Sequence, residues 1–263
     1  MFETTVDSVG TASAEKLAFL RKNPVGYFVA SVMAGLFISF GSFVAMSAGG
    51  YCSPWMGVAS KLPLSIAFSA ALSLVIMAGC ELFTGNNLVV GLGALVGRNS
   101  WRACFGLWTC CWVGNLVGSW VGVLLFHYAG ADSPAPVAAT FAGVSAAKCG
   151  YSVLQLVLRG VLCNILVCLA VWCAARLKDE TAKLIMVFWC ILVFMVCGFE
   201  HSIANMSIIG VALFNPSATG VTVAAYANNV IWVTVGNVIG GFVFVAMPYV
   251  IMAKSNDVGK QGG

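Results

Sequence analysis

Gly79-Cys80-Glu81-Leu82-Phe83-Thr84-Gly85-Asn86 and Gly198-Phe199-Glu200-His201-Ser202-Ile203-Ala204-Asn205 are two copies of one pattern in this chain. The glycine, the glutamate and the asparagine recur in register at a constant offset of 119 residues, from 81 to 200. Each copy interrupts a long apolar run. Polar, glycine-containing interruptions at matching places in two halves of a membrane protein are typical of a translocation site. We therefore predict a pore whose centre lies at these two stretches.

The composition indicates a membrane protein. Hydrophobic residues make up 60% of the chain and charged residues 8%, and the mean hydropathy is +0.97. A soluble domain has roughly 25% charged residues, so lipid is the solvent for most of this chain. The net charge of +4 is small, and no basic arm or aromatic-basic patch in the sequence indicates a nucleic-acid partner.

The eleven cysteines do not indicate a metal or cofactor site. The sequence has no CxxC pair and no cluster of cysteine with histidine, and most cysteines lie inside apolar runs, where they act as small buried hydrophobes. We predict no metal, no cofactor and no enzymatic activity. Cys52 and Cys149 fall in predicted connecting segments, and their spacing leaves open whether they pair.

Six apolar segments reach the length of about 20 residues that a transmembrane helix needs. The second and fifth are too long for one straight crossing, which favours helices broken at mid-depth, near Gly85 and near Ala204. The predicted segments are Pro24 to about Ala48, Leu62 to about Val96, Ala103 to Tyr128, Leu154 to Ala175, Leu184 to Leu213, and Tyr226 to Ala253.

A second matched pair extends the repeat. Val113-Gly114-Asn115-Leu116-Val117-Gly118 in the third segment matches Val235-Gly236-Asn237-Val238-Ile239-Gly240 in the sixth. Two matched pairs predict duplication of a three-helix unit, with repeats at about 24–128 and 154–253. An odd number of crossings per unit makes the repeat inverted. The first and fourth segments match poorly.

The lysines and arginines predict the orientation. Ten of them fall on one side of the predicted membrane and three, Lys61, Lys148 and Arg159, on the other. The positive-inside rule then places both termini in the cytoplasm of a multi-pass protein of the cell membrane. We predict a cytoplasmic N-terminal segment at 1–23, a channel domain at 24–253 and a cytoplasmic tail at 254–263.

The N-terminal segment has a weak amphipathic pattern. Apolar residues recur at spacings of three and four, with a gap at Ser13; they are Phe2, Val6, Val9, Leu17 and Leu20. This pattern favours a short helix on the cytoplasmic membrane surface. A frayed tail is the alternative.

Glu81 and Glu200 are costly residues, since a charge at the bilayer centre costs about 2.5–3.5 kcal/mol. One interpretation makes them ion ligands or proton carriers. The other, which we favour, makes them organisers of the helix breaks that accept hydrogen bonds from freed backbone N–H groups.

His201 is the histidine that lies well inside a predicted span, and its repeat partner is Leu82, so the repeat does not require it. It is either a satisfied core residue or a functional one. Its position beside a broken helix favours function, because free imidazole titrates near pH 6.5. Phe194 and Asn205 share its helical face if the helix continues.

Donor groups dominate the predicted breaks, which favours a small anion. They include His201, Thr84, Asn86, Asn205, and Asn164 in the fourth segment. A helix N-terminus at each break would add a favourable dipole, and Lys148 would add a positive charge on the outer side.

Phe68 and Leu72 precede Thr84 on one helical face, where packing is the more common role.

These strings resemble the formate/nitrite transporter family. The resemblance rests on Gly-Phe-Glu-His-Ser-Ile-Ala-Asn-Met at 198–206, Glu-Leu-Phe-Thr-Gly at 81–85, and Val-Gly-Asn at 113–115 and 235–237. It runs from Asn23 through the sixth segment. Within the family the chain most resembles the hydrosulfide channel branch, followed by the nitrite branch.

The resemblance implies an aquaporin-like bundle of six helices in a homopentamer, with one pore per protomer. It implies that Thr84 and His201 face each other at the pore centre, and that Lys148, Asn164 and Asn205 lie near the anion path. The implied substrates are formate, nitrite and hydrosulfide. The implied apolar constrictions are Phe68, Leu72, Leu82, Val167 and Phe194.

Two alternatives remain from the sequence. An aquaporin-like channel for neutral solutes would need Asn-Pro-Ala boxes, whereas the breaks carry Gly85-Asn86-Asn87 and Ala204-Asn205-Met206. A membrane anchor subunit that binds haem or quinone would need paired axial histidines, and His201 alone lies deep in a span.

Overall fold

The computed structural model describes residues 2–215 and 220–254, which form helices and short turns without a β-strand. The all-α prediction is confirmed for these residues; the predicted tail lies outside them, except for Lys254. The helices are α1 Glu3–Lys22, α2 Pro24–Met56, α3 Lys61–Phe68, α4 Ala70–Met77, α5 Phe83–Leu95, α6 Trp101–Tyr128, α7 Ala135–Cys149, α8 Val153–Arg176, α9 Glu180–Cys197, α10 Ser202–Ala212, α11 Val223–Gly241 and α12 Met247–Lys254. The turn Gly57–Ser60 is a 3₁₀ helix, and Phe242–Ala246 is a π-helical turn.

Among the residues that the structure describes, five helical stretches are long and apolar enough to cross a membrane, by length and composition. They are Pro24–Met77, Trp101–Tyr128, Val153–Arg176, Glu180–Cys197 and Val223–Ala253. The first stretch includes the first predicted segment and the beginning of the second, because α2 runs on to Met56 and the helices that follow it continue to Met77. Large apolar side chains are exposed along these helices, among them Phe105, Leu158 and Trp189. Such a surface fits lipid or another apolar partner.

α2 and the α3–α4 helices form an antiparallel pair. α2 begins at Pro24, and the side chain of Asn23 caps it by accepting from Gly26 N at 2.8 Å. Gly57, with φ +53°, ends α2. The chain then returns alongside α2. A Cβ atom built on Gly49 would meet Leu64, and one built on Gly41 would meet Ala71. The long predicted second segment therefore begins as two short helices packed on α2.

Both predicted interruptions exist, but they lie earlier in the chain than expected. The breaks fall at residues 78–82 and 198–201, whereas Gly85 and Ala204 lie inside α5 and α10. Gly79 and Gly198 have φ values of 71° and 73°, which side-chain-bearing residues rarely adopt. Glycine in this conformation ends a helix and leaves its last carbonyls bonded by the residues that follow. The breaks are therefore set by the first glycine of each repeat.

Close backbone contact holds the long helices together in two pairs, α2 with α6 and α8 with α11. A Cβ atom built on Gly118 of α6 would lie 1.9 Å from the carbonyl oxygen of Val32 in α2. A Cβ on Gly240 of α11 would lie 2.3 Å from the carbonyl oxygen of Val161 in α8. Small residues allow helices in membranes to approach this closely. The matched Val-Gly-Asn strings therefore lie at these helix contacts.

The N-terminal segment forms a full helix, and its apolar stripe faces protein. Val6, Val9, Ser13 and Leu17 are buried, so the gap at Ser13 belongs to the buried face. The Ser13 hydroxyl donates to Asn99 Oδ1 at 2.9 Å. The stripe packs against α5 and α12, and its relation to a membrane surface stays a prediction.

α7 was missed by the sequence analysis, which had a connecting segment there. Its buried residues Val137, Phe141 and Ser145 recur every four positions, so an amphipathic signal was present. α7 places Lys148 beside the second break, described below. All eleven cysteines are free thiols, which includes Cys52 and Cys149.

Candidate functional site at the two helix breaks

Asn115 of α6 binds the backbone at the first break. Its Oδ1 accepts from Phe83 N at 2.9 Å, and its Nδ2 donates to the carbonyls of Ser31 at 2.7 Å and Glu81 at 2.9 Å. An unpaired backbone group inside a membrane costs several kcal/mol. One buried amide therefore satisfies two backbone groups at the break, Phe83 N and Glu81 O, and ties them to the carbonyl of Ser31 in α2.

Asn237 of α11 does the same at the second break. Its Oδ1 accepts from Ser202 N at 2.9 Å, and its Nδ2 donates to the carbonyls of Gly160 at 2.8 Å and Glu200 at 3.0 Å. Asn115 and Asn237 occupy matching places in the repeat, and their bonds match one for one. The repeated asparagine, which the sequence analysis used only to detect duplication, is the residue that stabilises each break.

Glu81 and Glu200 do not act in the way we expected. The carboxylate of Glu81 accepts from Lys16 Nζ at 2.5 Å, Tyr27 Oη at 3.1 Å and Asn86 Nδ2 at 2.9 Å. These donors are side chains and not backbone N–H groups. The prediction that the glutamates accept from freed backbone N–H groups was therefore wrong for these bonds; Asn115 accepts from Phe83 N and Asn237 from Ser202 N instead.

Glu200 has the corresponding partners at the second break. Lys148 Nζ lies 2.9 and 3.0 Å from its two carboxylate oxygens, and Asn205 Nδ2 donates to it at 2.6 Å. The Lys148 side chain is 14% exposed and that of Glu200 3%. The positive charge that we expected Lys148 to add is therefore paired with a buried carboxylate.

Thr84 and His201 meet between the two halves of the chain. Thr84 Oγ1 and His201 Nε2 are 3.1 Å apart, and both residues are buried. His201 also caps α10, because its Nδ1 accepts from Ala204 N at 3.1 Å. A ring nitrogen that accepts carries no proton, so the neutral imidazole has its proton on Nε2 and donates it to Thr84. The hydroxyl hydrogen of Thr84 is then left to donate elsewhere.

Two cavities lie near this pair, one at each helix break. The His201 cavity has a volume of about 310 Å³, and the Leu82 cavity about 240 Å³. The first is lined by residues that include Lys61, Lys148, Tyr151, Phe194, Gly198, Glu200 and His201. The second is lined by residues that include Lys16, Leu72, Glu81, Leu82, Gly85 and Asn86. They share no lining residue: His201 lines the first cavity, and Leu82 and Gly85, close to Thr84 in the chain, line the second.

The five predicted constriction residues are all buried, with exposed fractions of 1–4% for Phe68, Leu72, Leu82, Val167 and Phe194. The Phe194 ring stacks on His201 with centroids 6.1 Å apart and meets Phe68 edge-on at 5.9 Å. Leu72 and Leu82 line the other cavity. Apolar groups therefore lie on both sides of the polar pair, and Val167 packs in the same core.

The amide donors that we expected to be free are bound to protein groups. Asn164 Nδ2 lies within 3.2 Å of the carbonyls of Thr84 and Asn237 and of Asn87 Oδ1. Asn205 Nδ2 donates to Glu200 and, at 2.8 Å, to Asn229 Oδ1. The sequence shows amide donors near each break, but it does not show their acceptors, most of which belong to other helices.

Three charged or polar residues of the site were also missed. Lys16 and Tyr27 bind Glu81 across 65 and 54 residues of chain. Arg159 NH1 donates to Gly198 O at 2.6 Å. Lys16 and Arg159 entered the sequence analysis only as charges that set orientation, and pairs so distant in sequence leave no local signal.

Comparisons with known proteins give one consistent answer. The sequence model of the family "Formate/nitrite transporter" matches residues 3–251. Nitrite transporter NirC of Salmonella typhimurium is 36% identical over 250 residues, covering 95% of this chain and 91% of that protein. Formate channel FocA of Escherichia coli is 33% identical over 258 residues, covering 90% of each.

Solved structures agree with the sequence relatives. A structure described as "FNT family ion channel" superposes with a TM-score of 0.88 at 33% identity, covering 95% of this chain and 98% of that one. A structure described as "Pentameric formate channel with formate bound" gives a TM-score of 0.74 at 31% identity, covering 88% and 98%.

We expect Asn237→Ala to destabilise the protein, because it removes the side-chain partner of two buried backbone groups at the break, Ser202 N and the carbonyl of Glu200. Leaving even one buried group unpaired costs about 1–3 kcal/mol, and each kcal/mol lowers the melting temperature of a chain of this size by about 2–4 °C. The measurement is thermal unfolding in detergent. Asn228→Ala is the matched control, since Asn228 is exposed on the same helix. Equal melting temperatures for the two variants would refute this role for Asn237.

Proposed function

Because this chain belongs to the formate/nitrite transporter family, whose members are channels and transporters and not enzymes, we propose that it carries small monovalent anions of weak acids across the cell membrane. The path runs from the His201 cavity, past the Thr84–His201 pair, to the Leu82 cavity. The observation that carries this proposal is a hydrogen-bonded polar pair whose histidine lines one cavity, whose threonine adjoins residues that line the other, and which is flanked by apolar side chains.

The chemistry of the pair suits such an anion. An anion that loses its water in an apolar constriction needs hydrogen-bond donors at once. The Thr84 hydroxyl is free to donate when His201 Nε2 donates to its oxygen, and the imidazole is a second donor if the pair opens. Neighbouring carboxylates do not oppose the anion, because Lys16 and Lys148 neutralise Glu81 and Glu200.

The substrates we propose are nitrite, formate and hydrosulfide. The names of the matching relatives support nitrite and formate. Hydrosulfide comes from the resemblance of the sequence to the hydrosulfide channel branch and stays a prediction. All three are small and singly charged, which is compatible with cavities of about 310 and 240 Å³ joined through one polar pair.

We further propose an aquaporin-like architecture with six crossings and inverted repeats at about 24–128 and 154–253. The matched bonds of Asn115 and Asn237 support this repeat, as does the antiparallel α2 and α3–α4 pair within one apolar stretch. The distribution of lysine and arginine supports two cytoplasmic termini. The pentameric formate channel that this chain resembles supports a homopentamer.

The two alternatives have less support. Both ring nitrogens of His201 have protein partners, Thr84 and Ala204, so neither is free to ligate a haem iron. A channel for neutral solutes does not need the paired lysines and glutamates that line both cavities. Family membership also disfavours both readings.

The direct test is anion flux. We expect purified protein in liposomes to conduct nitrite, formate or hydrosulfide, and reversal potentials under a salt gradient to follow the anion. Empty liposomes and liposomes with the Asn228→Ala variant are the controls for leak and for handling. A reversal potential that follows the cation would refute the proposal.

We expect Phe194→Ile and Leu82→Val to raise flux severalfold or to admit larger anions, because both changes trim apolar volume at the constrictions and leave the fold intact. The measurement is stopped-flow uptake for a series of carboxylates of increasing size. Val243→Ala, on the exposed surface, is the control. Unchanged rates and size limits in both variants would place the narrow points elsewhere.

We expect His201→Asn and Thr84→Ala to differ in their pH response. Asparagine is itself an N-cap residue, so it can still accept from Ala204 N, but it cannot take up or pass on a proton as an imidazole can. His201→Asn should flatten the pH profile of flux, whereas Thr84→Ala should lower conductance and keep the profile. A wild-type pH profile in His201→Asn would move the pH sensor to another residue.

A further inference from the structure

Two cations converge on Gly198 at the rim of the His201 cavity. A Cβ atom built on Gly198 would lie 3.4 Å from Lys61 Nζ and 3.6 Å from Arg159 NH1. The two nitrogens are therefore no farther apart than the sum of these distances. We call Gly198, Lys61 and Arg159 the Gly198 site. Because Gly198 lines the cavity and has no side chain, space is left beside the two cations.

Neither cation is neutralised within the described ranges, 2–215 and 220–254. The ion pairs of these residues include Lys16, Lys148, Lys183, Arg98 and His127, but not Lys61 or Arg159. Arg159 is held by its bond to Gly198 O and by the ring of Tyr151, 4.0 Å from its guanidinium carbon. The rim of this cavity is therefore cationic, while the Lys148–Glu200 pair deeper inside is neutral overall.

The other cavity lacks this feature. Gly79 corresponds to Gly198 in the repeat, and a Cβ atom built on it would meet nothing within 4 Å. Ala30 stands in the place of Arg159, since the carbonyl of Ala30 accepts from Glu81 N and that of Arg159 accepts from Glu200 N. The cationic rim is thus specific to one end of the path.

We propose that the Gly198 site binds small oxyanions, and that divalent ones such as sulfate bind there and block the path. The guanidinium has five N–H donors in a planar fork, of which one is used by Gly198 O, and the ammonium of Lys61 adds three more. Two adjacent cations bind a dianion more strongly than a monoanion because the attraction scales with the charge.

A dianion bound at the Gly198 site does not proceed. Removal of water from an ion costs more for a double charge than for a single one, and the Thr84–His201 pair offers few donors in return. A monoanion is concentrated at the rim and passes on, whereas sulfate stays and competes. This blocking role rests on the proposed anion path; binding of sulfate does not.

The first test measures competition. In proteoliposomes with formate as the permeant anion, sulfate should raise the formate concentration for half-maximal uptake about two- to fivefold over gluconate at equal ionic strength. The maximal rate should not change. Lys61→Gln should abolish most of this effect, and Arg159→Lys should weaken it. Lys183→Gln is the matched control, since Lys183 lies at the other end of α9 and pairs with Glu180 at 2.8 Å.

Equal competition by sulfate in Lys61→Gln and in the parent protein would overturn the assignment of the site. No competition in the parent protein would overturn it as well. Because Arg159 also bonds Gly198 O, the Lys61 variant carries the test, and its melting temperature in gluconate should equal that of the parent.

A second test measures binding without flux. Sulfate should raise the melting temperature of the detergent-solubilised parent more than gluconate does, and this difference should be lost in Lys61→Gln but kept in Lys183→Gln. If no anion is transported and this difference remains, the proposed function fails and the Gly198 site stands. If formate is transported but sulfate neither competes nor binds, the Gly198 site fails alone.

Discussion

The structure depends on how two broken helices satisfy their backbone in a medium without water. A helix that stops inside an apolar bundle leaves N–H and C=O groups that must find partners within the protein. Asn115 and Asn237 supply them, each from the helix packed beside the break. Close contact at Gly118 and Gly240 brings these helices near enough. The breaks therefore require the close helix pairs, and the helix pairs require the glycines at their contacts.

The sequence predicted the broad fold because repeated glycine, glutamate and asparagine residues are visible without structure. It misplaced the breaks by a few residues, since Gly85 and Gly79 are both glycines and only backbone torsion distinguishes them. It missed α7 because one short helix without a long apolar run resembles a connection. It predicted the proximity of Thr84 and His201 only through the family resemblance, since 117 residues separate them.

Partners of the charged residues were the least predictable part of the site. Lys16 and Lys148 were counted as positions on one or the other side of the membrane, yet both neutralise a buried glutamate. The two pairs leave each cavity with balanced charge near the polar pair. At the His201 cavity, Lys61 and the neighbouring Arg159 are the cations without a carboxylate partner among the described residues. On the proposed path, electrostatic attraction and hydrogen bonding of the anion therefore belong to different places.

His201 caps α10 through a ring nitrogen, Nδ1, that can also bind a proton. Nδ1 can take up a second proton only by releasing the N–H of Ala204, since two N–H groups cannot share one bond. Acidification of this ring is therefore also a loosening of the first turn of α10. On the proposed anion path, protonation of His201 would therefore change the shape of the path's wall as well as its charge.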